Sequence, residues 1–269
     1  MDLQNPREHY IYVAAHRGWL RNYPENTMEA FIAAEEIGVD QIETDVRITK
    51  DGHLVLTHDA KVDRTTNGTG LVCEKTLQQL QALDAGSYRD PKFAGCRIPT
   101  FIEFMDHIVK NPTITLGLEL KEYPEPGWEE VSYSVCDRVL QILDDYNFRE
   151  RTIINTLSGK LHDYIHEKYG NTYRQSVYFP QERMGECKYD PYSYAYSSFL
   201  LPLVKGAGQR MAPVEVFRQM AARGIQGWIG TAVRDEAGID EFIAHGGKLI
   251  VCDNPDEILQ ILRQKGYHD

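Results

Sequence analysis

The sequence predicts an α/β fold, a (β/α)₈ barrel built as a single domain over residues 1–269. Three observations point there. Eight short apolar runs are mostly separated by longer helical patterns. The 269 residues suit one barrel of this kind, which takes about 250. Neither a GxGxxG turn nor a Walker loop supports the alternative, a doubly wound nucleotide-binding sheet.

Taken in order, "YIYVAA" (10–15) is the first strand, and "TMEAFIAAEEIG" follows as a helix that opens on Thr and closes on Gly, as helix termini prefer. The second strand is "VDQIETDVRI" (39–48). The stretch beyond it is too long for one crossover, and residues 60–98 read as an inserted subdomain of turns and a helix. "TFIEFMDHIVK" then leads to the third strand, "TITLGLEL" (113–120). The helix "WEEVSYSVCDRVLQILDDY" connects it to "TIIN" (152–155), and "LSGKLHDYIHEKYG" connects that to "QSVYF" (175–179). "YSSFLL" (196–201), "QGWIGT" (226–231) and "KLIVCD" (248–253) complete the eight. Their helices are "PVEVFRQMAARG", "DEAGIDEFIAHGG" and a final "PDEILQILRQKG".

Composition excludes several function classes. A net charge of −11 argues against a general nucleic-acid binder, although a local basic site for a small anion is compatible with it. The five cysteines are odd in number and form no CxxC pair, which favours a reducing compartment over a disulfide framework. "MDLQNPREHY" has no signal-peptide character and no run reaches the roughly 18 apolar residues of a membrane span. A cytoplasmic protein without stable membrane insertion is expected. The oligomeric state is left open.

The chemistry lies where charges fall on strand faces. Side chains two apart on a strand share a face, so Glu43 and Asp45 point the same way. In a parallel barrel both faces of a strand are largely buried, and a buried carboxylate pair calls for a cation. "TLGLELK" repeats the pattern, with Glu119 and Lys121 on one face. Charged interior positions near the C-terminal end of a barrel strand read as catalytic. Glu43, Asp45 and Glu119 together suit a hard divalent cation, Mg²⁺ or Ca²⁺. His16 ends the first strand and His58 follows "HLVLT". A pair of histidines beside such a site can divide acid and base roles. Arg17 and Lys121 are placed to hold a phosphate.

These motifs resemble the glycerophosphodiester phosphodiesterase family. The likeness rests on "HRG" (16–18), "PENT" (24–27), "ETD" (43–45), "TKDG" (49–52), "HD" (58–59), "DRTTNGTG" (63–70), "LDAG" (83–86), "IPT" (98–100), "ELK" (119–121) and the tail "CDNPDEIL". The resemblance implies a TIM barrel with a small insertion after the second strand. It also implies metal-dependent hydrolysis of a glycerophosphodiester to an alcohol and sn-glycerol 3-phosphate. The attacking oxygen would first be the substrate's own 2-hydroxyl, giving a cyclic phosphate that water opens. Its metal ligands fall on Glu43, Asp45 and Glu119, its acid/base histidines on His16 and His58, and its phosphate contacts on Arg17 and Lys121. Which histidine is acid and which base does not follow from sequence, and His16 as base with His58 as acid is the expectation.

Glu25 and Asn26, read as beginning the first helix after Pro24, are expected to fix the loop at the site's edge. The chain departs from the family at "WIGTAV" and "INTLS", strands that shape the alcohol side. Trp19, Tyr123, Tyr178, Phe179 and Trp228 are the candidate residues there. Two other readings are a lysophospholipase D-type enzyme acting on lipids and a non-catalytic phosphate-binding barrel. The first is ranked lower because the insertion is only modestly amphipathic, the second because no ligand or histidine is missing.

Overall fold

The computed structural model describes residues 1–204 and 208–269. Eight parallel strands close on themselves: β1 (Tyr12–His16), β2 (Gln41–Ile48), β4 (Thr115–Leu120), β5 (Thr152–Asn155), β6 (Arg174–Phe179), β7 (Ser197–Leu200), β8 (Gln226–Ile229) and β9 (Leu249–Cys252). The ladder between β1 and β2 completes the ring. All eight coincide with the predicted runs, most of them trimmed at their ends, while β1 runs one residue further to His16 and β6 begins one residue earlier at Arg174. A ninth strand, β3 (Leu54–Leu56), pairs antiparallel with β2 from outside the ring. Sequence did not separate it from the loop that follows, because "LVL" is too short to show a period.

Helices cover the barrel: α1 (Met28–Glu36), α3 (Phe101–Ile108), α4 (Glu129–Asp145), α5 (Gly159–Tyr169), α6 (Val214–Ala222), α7 (Glu236–Ala244) and α8 (Pro255–Gln264). Their starts follow from capping side chains. Thr27 accepts from the Ala30 N–H, and Thr100 with Glu103 forms a reciprocal capping box. Between β6 and β7 two 3₁₀ turns stand where a helix would. The segment between β3 and α3 holds one short helix, α2 (Leu77–Gln81), and a small apolar cluster of its own around Val55, Val62, Val72, Leu80, Ala85 and Ile98.

Two apolar layers position the site. Outward strand residues such as Ile42, Val46, Leu116, Leu118 and Leu120 pack against the helices. Inside the ring, Tyr12, Ala14, Ile153, Phe199, Trp228, Leu249 and Val251 fill the N-terminal half. Polar side chains also pair within that floor, Gln41 donating to Thr115 at 3.3 Å, but the carboxylates Glu43, Asp45 and Glu119 lie nearer the C-terminal end, where loops meet them. Trp228, expected on the alcohol side of a pocket, belongs to this floor. It is 2% exposed and its indole Nε1 donates to Gln226 Oε1 at 3.1 Å. Phe179 also departs from expectation: it faces outward and packs against the helical layer beside Tyr192.

Phe31 of α1 and Phe104 of α3 meet edge to face in the outer core, centroids 4.8 Å apart and both fully buried. Phe104→Ala is expected to destabilise the fold by about 3–5 kcal/mol, read from the shift in a urea unfolding curve. A loss under 1 kcal/mol would mean that this layer repacks freely.

Candidate active site

Strand register builds the centre. Glu43 lies opposite His16 on β1 and Gly117 on β4, and Asp45 lies opposite Glu119. Four adjacent inward positions on three strands thus carry His16, Glu43, Asp45 and Glu119. Gly117, opposite Glu43, leaves room for the neighbouring Gln41 side chain, since a Cβ there would lie 2.7 Å from Gln41 Oε1. Glu43, Asp45 and Glu119 are all buried, and each offers an oxygen within 4.8 Å of the others.

Two cations are drawn into this cluster. Lys121, buried just past β4, has its Nζ 2.6 Å from Glu119 Oε1 and 3.2 Å from Asp45 Oδ1. Neither contact is aligned as a hydrogen bond, so both oxygens keep unused acceptor capacity. Arg17 Nε is 3.5 Å from Asp45 Oδ2, also unaligned, while its Nη1 donates to Glu25 Oε1 at 2.8 Å. The Arg17 backbone takes a left-handed conformation, φ 55°, and its N–H donates to Glu43 Oε2 at 3.1 Å. A non-glycine residue holds that conformation only where its surroundings insist. Next in the chain, Gly18 has φ +81°, and a Cβ there would strike Ala30 of α1 at 2.7 Å. Only glycine fits where the turn leaves β1.

Ionisation follows from these neighbours. Burial, with Asp45 alongside, pushes the Glu43 carboxyl up to about 7. Burial also opposes ionisation of Asp45, but Lys121 and Arg17 outweigh it and hold the carboxyl below its ordinary value. For Lys121 desolvation is overcome by Asp45 and Glu119, which raise it.

Each predicted histidine is gripped by a carboxylate. His16 Nδ1 is 2.6 Å from Asp253 Oδ1, just past β9, and its Nε2 is 4.0 Å from Glu43 Oε2. His58, in the loop after β3, has Nδ1 2.6 Å from Asp59 Oδ1. Burial alone would lower His16, yet the Asp253 bond and the Glu43 charge lift it above the ordinary value. For His58 burial prevails over Asp45, and it falls below. The two are pushed in opposite directions, a pattern that suits paired acid and base work.

Glu25 and Asn26 do not begin α1 as expected, because Thr27 is its cap and both residues precede it. The Glu25 carboxylate accepts from Arg17 and, through both oxygens, from Arg64 at 2.6 and 2.8 Å. Arg64 Nε donates to Asp59 Oδ2 at 2.7 Å. A charged chain therefore runs His58–Asp59–Arg64–Glu25–Arg17 around the rim. Asn26, with φ 53°, donates to Asp45 Oδ2 at 3.0 Å and accepts from Thr44 at 2.8 Å. It fixes the rotation of the Asp45 carboxylate.

Of the aromatic candidates, Tyr178 stands beside the cluster. Its hydroxyl accepts from Asn155 Nδ2 at 2.8 Å, and burial together with Glu119 holds it well above its ordinary range. Burial pushes Tyr123 up to about 12, with Lys121 pulling the other way and Glu119 adding to the rise. Trp19 lies outside, against Tyr23 in a neighbouring cavity.

Sequence reasoning passed over Arg47, Asp59, Arg64 and Asp253. Arg47 continues the 43–45 alternation, a third charge on one face. It donates to the His58 carbonyl at 2.9 Å and to the Lys121 carbonyl at 3.1 Å, tying the two loops together. Asp59 and Asp253 were quoted inside motifs but given no task, because nothing in a linear chain says which histidine a carboxylate meets.

Substitutions at Asn26 test how far this buried bonding matters. Asn26→Ala is expected to cost about 2–4 kcal/mol, combining a lost bond to a charged group with left-handed strain. Asn26→Gly keeps the backbone freedom and should cost less by about 1 kcal/mol. Equal losses in thermal and urea unfolding would remove backbone strain from the account.

Comparison with known proteins agrees with the architecture. The model of the "Glycerophosphoryl diester phosphodiesterase family" matches residues 16–257. A glycerophosphodiester phosphodiesterase of Caldanaerobacter subterraneus subsp. tengcongensis is 34% identical over 264 residues, covering 94% of this chain and 98% of that one. Among solved structures, an Oleispira antarctica phosphodiesterase in complex with the product sn-glycerol-3-phosphate superposes with a TM-score of 0.77. It is 22% identical and covers 94% of this chain and 97% of its own. The glycerophosphodiester phosphodiesterase of Thermotoga maritima gives 0.70 at 22% identity, covering 95% of this chain and 100% of its own. Those two show the shared TIM barrel. With the family match spanning nearly the whole chain, the protein belongs to the glycerophosphoryl diester phosphodiesterase family and is a phosphoric diester hydrolase.

Proposed function

We propose that the chain hydrolyses small glycerophosphodiesters to an alcohol and sn-glycerol 3-phosphate. In this reading Glu43, Asp45 and Glu119 hold one divalent cation, Mg²⁺ or Ca²⁺. The observation that carries it is three buried carboxylates converging within 4.8 Å between two carboxylate-held histidines. The residues fit such an ion. Asp45 Oδ1 and Glu119 Oε1 are buried without an aligned donor, and an all-oxygen set suits a hard cation. Bound there, the cation would supply positive charge to the non-bridging oxygens of the scissile phosphorus.

The remaining roles belong to the chain itself. Arg17, braced by Glu25, and Lys121 would meet the phosphate oxygens. Asp253 and Asp59 accept the Nδ1 protons of His16 and His58, which leaves each Nε2 to exchange a proton with substrate. One Nε2 takes the proton of the attacking hydroxyl, and the other returns one to the departing alkoxide. Tyr123 and Tyr178 would border the alcohol. Residues 60–98 act in this reading as an insertion within the one domain, contributing Arg64 to the rim. The five free cysteines support a reducing, cytoplasmic setting. Among the described residues no helix is long and apolar enough to cross a membrane.

Glycerophosphoethanolamine or glycerophosphocholine should be cleaved without detergent or vesicles, with sn-glycerol 3-phosphate detected by a coupled dehydrogenase. EDTA should abolish this activity and Mg²⁺ or Ca²⁺ restore it. Glu119→Gln should need more metal for half-maximal rate while leaving the unfolding curve in place. Full activity after exhaustive chelation, or cleavage of micellar lysophospholipid alone, would sink the corresponding part of the reading.

His16→Ala and His58→Ala should each lower kcat by about 10²–10⁴-fold. Because the pair works as a unit, the double variant should be little slower than the slower single. Either variant turning over at the native rate would leave that histidine with a structural role.

A further inference from the structure

In a chain with 40 acidic and 29 basic residues, unpaired arginines at the mouth of the barrel need a reason. A cavity of about 420 Å³ is lined by Leu20, Arg21, Arg89, Arg234, Asp253 and Asn254. A neighbouring cavity of about 480 Å³ shares Arg21 and Arg89 and adds Lys92 and Asp90. Asp253 is a wall of the first cavity and also holds His16, so this space opens directly beside the proposed catalytic centre.

The charges do not cancel. Arg21 is satisfied by Glu257 at 2.7 Å. Among the described residues no carboxylate lies within 4.0 Å of Arg89 or Arg234, and Arg234 is steadied through Nε by the Thr231 carbonyl at 2.7 Å. Across the two cavities four cationic side chains, Arg21, Arg89, Arg234 and Lys92, face two carboxylates, Asp253, which holds His16, and Asp90, which accepts from the Lys92 N–H at 2.9 Å. Lining the first cavity without an ion pair are the Arg89 and Arg234 guanidiniums, with Lys92 in the second, and guanidiniums match a phosphate or phosphodiester bidentately.

We propose that Arg89 and Arg234 form a subsite for a second phosphate group of the substrate, one alcohol unit away from the scissile phosphorus. This rests on the phosphodiesterase reading above and narrows it: the favoured substrates are glycerophosphodiesters carrying a further phosphodiester or phosphate, ahead of those with an amino alcohol. Apolar floor and aromatic wall give no comparable preference, whereas two unpaired cations beside the reacting centre raise the local concentration of a doubly anionic ligand.

Bis(glycerophospho)glycerol and glycerophosphoglycerol differ only by the second phosphodiester unit, which makes them the test pair. Per scissile bond, the native enzyme should favour the former by about 10-fold or more in kcat/KM at low salt, mostly through KM. The preference should shrink at about 0.5 M salt. The R89A/R234A variant should lose the preference while cleaving glycerophosphoglycerol within about twofold of the native rate. Equal native rates on the two substrates, or an unchanged preference in the variant, would overturn the subsite. If neither diester is cleaved, the catalytic reading is at fault and binding decides the subsite. By calorimetry, EDTA-treated native protein should then bind bis(glycerophospho)glycerol more tightly than glycerophosphoglycerol, and R89A/R234A should not. Equal binding of the two by native protein would end the proposal.

Discussion

Three carboxylates at one dry place are the constraint around which this molecule is arranged. Glu43, Asp45 and Glu119 repel one another at short range in low dielectric, and two built-in cations, Arg17 and Lys121, cannot neutralise three charges. The imbalance shows in Glu43, where burial, with Asp45 alongside, outweighs His16 and Arg17 and pushes the carboxyl up to about 7. A fold that buries this cluster needs a rigid frame to prevent it from flying apart. Eight strands locked in register supply that frame, and the apolar floor beneath keeps water from entering below.

The second consequence is the girdle of polar bonds outside the cluster. Isolated charges near a dry centre are costly, so each is held by something else. Asp253 and Asp59 seize the histidines, Glu25 braces Arg17, and Arg64 joins Asp59 to Glu25. Arg47 fastens the His58 and Lys121 loops through their carbonyls. Geometry is thereby fixed before any substrate arrives, which is how a site avoids spending binding energy on reorganisation.

Much of this was legible in the chain because strand alternation is a strict code. Period two puts Glu43 with Asp45 and Glu119 with Lys121, and all eight barrel strands stand where apolar runs announced them. What alternation cannot convey is which loop meets which. Asp253 and His16 are 237 residues apart, and their bond exists only because β9 closes the ring against β1. Aromatic residues were the weakest guide. Trp228 and Tyr178 are both inward on their strands, yet one lies in the floor and the other beside the carboxylates, since height along the barrel depends on strand tilt and stagger. Glu25 and Asn26 stand two and one residues before the cap of α1 and not in its first turn, because Thr27 outcompetes them as a cap.

The two histidines do not rest on the same footing. His16 ends a barrel strand, whereas His58 and Asp59 sit on a loop leading into a segment with a separate apolar cluster of modest size. A cluster of half a dozen aliphatic side chains carries a smaller opening free energy than a closed eight-strand ring. Opening of that lobe would draw His58 away while His16 stayed on its strand, and the Arg47 bond to the His58 carbonyl and the Arg64 bridge to Glu25 are what oppose it.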